Sequence, residues 1–155
     1  KLKYLDRDNL ERRKIANFYD SNIINANVIK PKQSQLSYHV YHLYVIQVTN
    51  RNKLIKELNK KNIYPGIHYK KAIHQQKIFS MQNNHLPFTN DVVKSILSLP
   101  IYPGLSKKDL KIIVKIINNF KLYLLKINYY FFYDNNTNYW RNWAYRIFSS
   151  AQLTF

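Results

Sequence analysis

Residues Tyr38 to Val48 alternate with period two, and both faces generated by that alternation are largely apolar. Val40, His42, Tyr44, Ile46 and Val48 fall on one side of an extended chain, with Tyr41, Leu43 and Val45 on the other. A strand of this kind has to be covered on both sides. The chain is therefore expected to wrap other elements around it.

The rest of the sequence supplies them. Leu5 to Tyr19 reads as a charged helix with Leu10, Ile15, Phe18 and Tyr19 at roughly helical spacing. Asp8 followed by Glu11 resembles a capping-box start, with Asp6 as the alternative. An Asn-rich turn closes at Lys30-Pro31-Lys32. Asn50 is placed to cap a helix through Lys61, buried along Leu54, Ile55 and Leu58. Ile63 to Tyr69 reads as a second short strand, and Pro65-Gly66 within it argues for a sheet edge or a bend. Thr89 or Asn90 starts a short helix to Ile96, with Asp91 in its first turn. Leu97 to Tyr102 reads as a third strand, ended by Pro103-Gly104. Ser106 and Asp109 open a last helix whose apolar face is Leu110, Ile113, Val114 and Ile117. The order alternates helix and strand and contains no repeat, which predicts an α/β chain, α+β-like, with a three-stranded sheet packed against helices.

A length of 155 residues allows one ordinary domain. Lys and Arg number 25 against 8 Asp and Glu, a formal charge of +17. One reading is a nucleic-acid or anionic-lipid partner. The other is codon bias, because Lys, Asn, Ile, Tyr and Phe are abundant while Gly occurs only 2 times. The lysines are scattered over predicted helix faces without an Arg-rich block, so nucleic acid is the less favoured partner. A positive surface still steers a phosphate-bearing small molecule. Cysteine is absent, which removes disulfides and thiolate metal sites and suits a cytoplasmic protein. No signal peptide opens the chain. It begins at Lys1 rather than Met, as expected after processing or for part of a longer polypeptide. The run Leu122 to Tyr133 is broken by Lys126 and Asn128 and is too short for a membrane span. Beyond Phe120, Tyr123, Tyr129 to Tyr133, Tyr139, Trp140, Trp143, Tyr145 and Phe148 crowd together without a clean period. That segment reads as a docking or base-stacking surface, or as a non-native extension, the latter favoured.

Reactive groups are few. His39 and His42 lie three apart, so a regular strand points them to opposite faces and they share no metal. His68 and His74 have no acid or cysteine nearby, whereas zinc wants three or four ligands. There is no Gly-x-Ser-x-Gly elbow, no Gly-rich phosphate loop and no close pair of carboxylates. No self-sufficient catalytic centre or metal site is therefore expected. Ligand contact is what the segment Ile63 to His74 offers: His68, Tyr69 and His74 bring donors and acceptors, and Lys70 and Lys71 bring charge. Singly, each has an ordinary explanation, His42 as a core histidine and the lysines as solvated. Their clustering beside a Pro-Gly turn is what favours function.

The series Leu5-Asp6, Arg12-Arg13, Ile15-Ala16 and Tyr19, then Tyr41-His-Leu-Tyr-Val45, Gly66-Ile-His-Tyr69, His74-Gln75 and Leu97-Ser-Leu-Pro-Ile-Tyr-Pro103, resembles the C-terminal part of the DegT/DnrJ/EryC1/StrS aminotransferases. The likeness runs in matching order from about residue 3 to 120. It implies the small C-terminal domain of a fold-type I pyridoxal-phosphate enzyme that converts a keto sugar, usually carried on a nucleotide, to an amino sugar. Glutamate is the implied amino donor and a homodimer the implied assembly. Residues 1–20 would belong to a connecting helix, 21–120 to the small domain, and 121–155 to an unmatched tail. By resemblance His42, His68, Tyr69 and His74 line the substrate pocket. The family's Schiff-base lysine, ring-stacking aromatic and pyridine-nitrogen acid all lie upstream, so no catalytic or cofactor-binding residue is assigned here and the chain alone is expected to be inactive. Lys70-Lys71-Ala72 departs from the proline-containing segment common in the family. A competing reading is a basic, aromatic-tailed module that binds nucleic acid or a protein partner without catalysis.

Overall fold

The computed structural model describes residues 2–34, 36–79 and 86–121. The aromatic segment beyond Lys121, on which the docking and stacking readings rest, lies outside the described residues. In chain order the elements are α1 (Leu5–Asn22), β1 (Val28–Ile29), β2 (Tyr44–Val48), α2 (Arg51–Asn59), α3 (Pro87–Ser95), β3 (Ile96–Leu99) and α4 (Lys107–Asn119). Short 3-10 turns occupy Leu2–Tyr4, Ile73–Gln75 and Lys77–Phe79. The strands form one antiparallel sheet in the order β1-β2-β3, with Val28 opposite Val48 and Tyr44 opposite Leu99.

β2 covers only the second half of the stretch that alternation marks as strand. Upstream, Arg13 spends its guanidinium on the His39 carbonyl at 2.7 Å and lies 4.0 Å from the Tyr38 ring centroid. The His39 Nδ1 accepts the Tyr41 N–H at 2.8 Å, and Tyr41 takes a left-handed φ of 48°. These local bonds turn residues 38–43 away from ladder geometry. The expected opposition of His39 and His42 across a strand therefore does not arise. Along β2 itself Tyr44, Ile46 and Val48 are buried while Val45 and Gln47 are half-buried. Complete two-sided burial belongs to β3 instead: Leu97 and Leu99 fill one face, and Ser98, only 4% exposed, lies on the other.

The second expected strand, Ile63 to Tyr69, reduces to a bridge between Gly66 and Ser98. Pro65 has no N–H to continue the ladder. β3 stops at Leu99 for the same reason, because Pro100 cannot donate, and the Pro100 carbonyl accepts the Tyr19 hydroxyl at 2.7 Å. β1 carries no period in two residues and was not legible.

The helix starts differ in how far they follow the sequence signal: α4 forms its expected cap, α1 begins at the expected Leu5 without its capping box, α2 lacks the Asn50 side-chain cap, and α3 begins ahead of Thr89. At α4, Ser106 Oγ accepts the Asp109 N–H at 3.0 Å and donates its own hydrogen to Asp109 Oδ2 at 2.7 Å. α1 starts at Leu5, ahead of the expected capping box; Asp6 and Asp8 sit in its first turn, and Arg7 pairs with Asp8 at 3.1 Å. Asn50 precedes α2 in a left-handed conformation with φ 61° and makes no side-chain cap. α3 opens on Pro87, whose missing N–H costs nothing in a first turn, and Asp91 pairs with Lys94 one turn on.

The core joins Ile15, Ala16 and Tyr19 of α1 to the buried β2 and β3 residues, Leu54 and Leu58 of α2, and Leu110, Ile113, Val114 and Ile117 of α4. The ends of α1 and α4 are tied together by side-chain amides. Asn25 Nδ2 donates to the Ile117 and Phe120 carbonyls at 2.7 and 2.9 Å. Asn118 donates to the Asn22 carbonyl at 2.8 Å and accepts the Ile24 N–H at 2.9 Å. Inside the core, the Tyr19 and Tyr44 rings lie 5.0 Å apart, and the Tyr44 hydroxyl donates to Asp20 Oδ1 at 2.5 Å. Burial pushes both phenols far above their ordinary range, and the Asp20 carboxylate adds to the shift at Tyr44. No described helix is long and apolar enough to cross a membrane.

Leu97 is fully buried in β3, so Leu97→Ala should cost about 2–5 kcal/mol of unfolding free energy in a urea titration. The phenols give a pH signature. A tyrosine stays neutral in both states below about pH 10, but above it the unfolded chain releases a proton that the folded core retains. Stability should therefore fall as pH rises above about 10, and less steeply in Tyr44→Phe, when urea midpoints of the two chains are compared across pH 8–11.

Candidate functional site

The segment from Ile63 to Gln75 leaves α2 and runs beside β3. Ile63 is buried, and its N–H reaches back to the Leu58 carbonyl at 3.2 Å. Gly66 then exchanges both backbone bonds with Ser98, N–H to carbonyl at 3.0 Å and the reverse at 2.8 Å. This pairing sets His68 within reach of β3, where its Nδ1 lies 3.0 Å from Ser98 Oγ. Ser98 is thus a buried polar group whose hydroxyl is satisfied by the loop. Gly66 is needed for space: a Cβ there would run into the His68 imidazole. The rings of His68 and Tyr69 meet edge to face, 5.9 Å apart.

Past Tyr69 the chain exposes Lys70 and Lys71 and then makes a 3-10 turn over Ile73–Gln75. The Ala72 N–H donates to Gln75 Oε1 at 3.0 Å. His74 Nε2 and Gln75 Nε2 both meet Asn90 Oδ1, at 2.8 and 2.6 Å. The turn is therefore buttoned to α3. Between loop and helix lies a hollow of about 520 Å³. Tyr69, Lys71 and His74 line it from the loop and Thr89 and Val93 from α3, with Phe79 also on its wall. A mostly apolar concavity with a few placed polar groups is the usual form of a small-molecule site.

Of the residues expected to line a pocket, Tyr69 and His74 share this hollow and His68 is anchored beside Tyr69. His42 does not line it. It is exposed in the turn ahead of β2, so the reading of His42 as a core histidine is corrected. Thr89 and Asn90 were read only as a helix start and Ser98 only within a strand motif; neither they nor Val93 were expected at the site. Ser98 alone carried a signal, as the one hydroxyl between two leucines of a buried strand.

Among the described residues no three His, Cys, Asp or Glu converge on a possible metal position. A lysine that forms an imine is activated by desolvation or a cationic neighbour. No described lysine is buried; Lys30 and Lys53 are half-buried and the others are exposed. The Lys30 Nζ is committed to the Asp20 and Ile23 carbonyls at 2.6 and 3.0 Å.

Replacing Gly66 by Ala should dislodge the His68 ring from Ser98. The expected cost is about 1–3 kcal/mol of stability, from crowding and a buried hydroxyl left unpaired. Loss of the His68–Ser98 contact in NMR spectra, with the α4 resonances unchanged, checks the assignment.

A profile of the DegT/DnrJ/EryC1/StrS aminotransferase family matches residues 1–118. The chain is 35% identical over 121 residues to a dTDP-3-amino-3,6-dideoxy-alpha-D-galactopyranose transaminase of Aneurinibacillus thermoaerophilus, covering 77% of this chain and 33% of that protein. It is 29% identical over 107 residues to a UDP-N-acetyl-3-dehydro-alpha-D-glucosamine 3-aminotransferase of Acidithiobacillus ferrooxidans, covering 68% and 29%. Among solved structures, a DegT DnrJ EryC1 StrS aminotransferase from Brucella abortus superposes with a TM-score of 0.68 at 28% identity, over 75% of this chain and 32% of that one. The fold also matches DesV of S. venezuelae, with a TM-score of 0.71 at 23% identity over 76% and 33% of the two chains. The chain spans about a third of the length of the curated relatives it matches. By the profile match over most of its length, this chain belongs to the DegT/DnrJ/EryC1/StrS aminotransferase family.

Proposed function

We propose that residues 21–120 are the small C-terminal domain of a sugar aminotransferase, with residues 1–20 its connecting helix, and that the hollow between the Tyr69–Gln75 loop and α3 is one wall of the sugar site. The observation that carries this reading is the hollow itself. It sets Tyr69 and His74, both able to hydrogen-bond hydroxyl groups, against an apolar wall that suits the carbon face of a ring. His68 meets the Tyr69 ring edge to face, and Lys70 and Lys71 supply positive charge for a phosphate-bearing substrate. His42 belongs to the proposed set by family resemblance alone.

The substrate class is a keto sugar carried on a nucleotide, as the names of the relatives suggest, with glutamate as amino donor and amino-sugar biosynthesis as the setting. Pyridoxal phosphate is the proposed cofactor of the whole enzyme, where it supplies an electron sink and a carrier for the amino group. By family resemblance its lysine is proposed to lie upstream of these residues, a reading supported by the exposure of the described lysines other than Lys30 and Lys53. The chain alone is accordingly proposed to be inactive, and the whole enzyme to be a homodimer.

Two measurements test the reading. Titration with a nucleotide-linked hexose should move the NMR signals of Tyr69, His74 and Thr89 first, and His74→Ala should weaken binding about tenfold, the worth of one hydrogen bond. Signals that move only elsewhere would remove the hollow from the sugar site. Borohydride reduction after incubation with one equivalent of pyridoxal phosphate should label no single lysine stoichiometrically. A stoichiometric label at one lysine would overturn the placement of the imine outside this chain.

A further inference from the structure

We propose that Gln75 and Asn90 are positioning residues that fix the neutral His74 ring as its Nε2–H tautomer, leaving Nδ1 as a hydrogen-bond acceptor for a donating hydroxyl group in the hollow. This rests on the reading of the hollow as a sugar site. It adds which way the hydrogen bond points and what the substrate must carry.

The polarity follows from one group with no freedom. The backbone N–H of Ala72 can only donate, and it meets Gln75 Oε1 at 3.0 Å. That fixes the orientation of the Gln75 amide, so its other end is the NH₂ group, which faces Asn90 at 2.6 Å. The Asn90 atom receiving that donor must then be its oxygen. The same oxygen lies 2.8 Å from His74 Nε2. An amide oxygen donates nothing, so Nε2 must carry the hydrogen. A single backbone hydrogen thus sets the tautomer of a side chain through two amides, neither of which is free to turn.

Nε2 is consumed by Asn90, and His74 lines the hollow. Among the described residues Nδ1 has no hydrogen-bond partner, so it is the ring nitrogen left for a ligand, and in the neutral ring it offers a lone pair. The group that matches it is a hydroxyl acting as donor. A site built to receive a hydroxyl rejects the analogue lacking one much more strongly than an apolar pocket rejects an added methylene. The hollow is inferred to select nucleotide sugars that keep the hydroxyl facing His74, against those deoxygenated or O-methylated there.

The test uses the whole 155-residue chain and long-range proton–nitrogen NMR of the His74 ring at a pH where it is neutral. The native chain should show the hydrogen on Nε2. Gln75→Glu reverses the relay: the carboxylate still accepts from Ala72 but can no longer donate to Asn90. The Asn90 amide then turns, its NH₂ group donates to both Glu oxygen and His74 Nε2, and the ring proton moves to Nδ1. Asn90→Asp keeps an acceptor oxygen in place and should retain the native tautomer. Both side chains lie outside the buried core, and the α4 amide signals report that each variant is folded. A native Nδ1–H ring, a Gln75→Glu ring that keeps Nε2–H, or an Asn90→Asp ring that loses it would each overturn the relay. Binding forms the separate arm: Gln75→Glu should weaken a nucleotide-linked hexose about tenfold and Asn90→Asp about twofold or less, with the deoxy analogue of that hexose indifferent to both. Tautomers that switch as stated while binding stays constant would uphold the relay and remove the sugar from His74.

Discussion

β3 is hydrogen-bonded along both edges, and the arrangement of the described residues depends on that double pairing. On one side it carries the β2 ladder, from Tyr44 opposite Leu99 to Gln47 opposite Ile96. On the other it receives Gly66 through two backbone bonds to Ser98. A short strand with only four residues has little ladder of its own to spare, and its burial makes each unmade bond costly. Its leucines face the core that α1, α2 and α4 enclose, while the opposite side gives Ser98 to His68. One strand thus orders the interior with one face and the loop with the other.

That division explains what could be read from the sequence. The α4 start was legible because its whole signal, Ser106 with Asp109, lies within one turn and depends on nothing distant. The buried faces of α2 and α4 and the second half of β2 were legible for the same reason, whereas the three-stranded sheet takes β1 in place of the expected Ile63–Tyr69 strand. The first half of the expected long strand failed because Arg13, 26 residues away from His39, claims its backbone. No local alternation rule reports such a bond. Asn50 failed in another way: its residue type suits a cap, but its left-handed backbone serves the turn out of β2.

The site divides along the same line. His68, Tyr69 and His74 were visible because they crowd beside a Pro-Gly turn. Their partners were not, since Ser98 is 30 residues from His68 and Asn90 is 16 residues from His74. The family resemblance placed the loop near a substrate, yet it carried no information on which ring nitrogen faces out. His42 shows the converse. Its assignment came from a strand motif, and the strand begins only after it.

The amide ties between the ends of α1 and α4 have a mechanical meaning. α1 has 18 residues and extends for about 27 Å, held along its length by Arg13 and Tyr19 and again at its far end. Asn118 both gives and receives a bond there, and Asn25 spans two carbonyls of the α4 terminus. Pivoting α1 at this joint would break four side-chain amide hydrogen bonds. Tilting α1 from its N-terminal end would therefore carry α4 and the sheet with it as one piece, transmitting the displacement to the loop that borders the hollow.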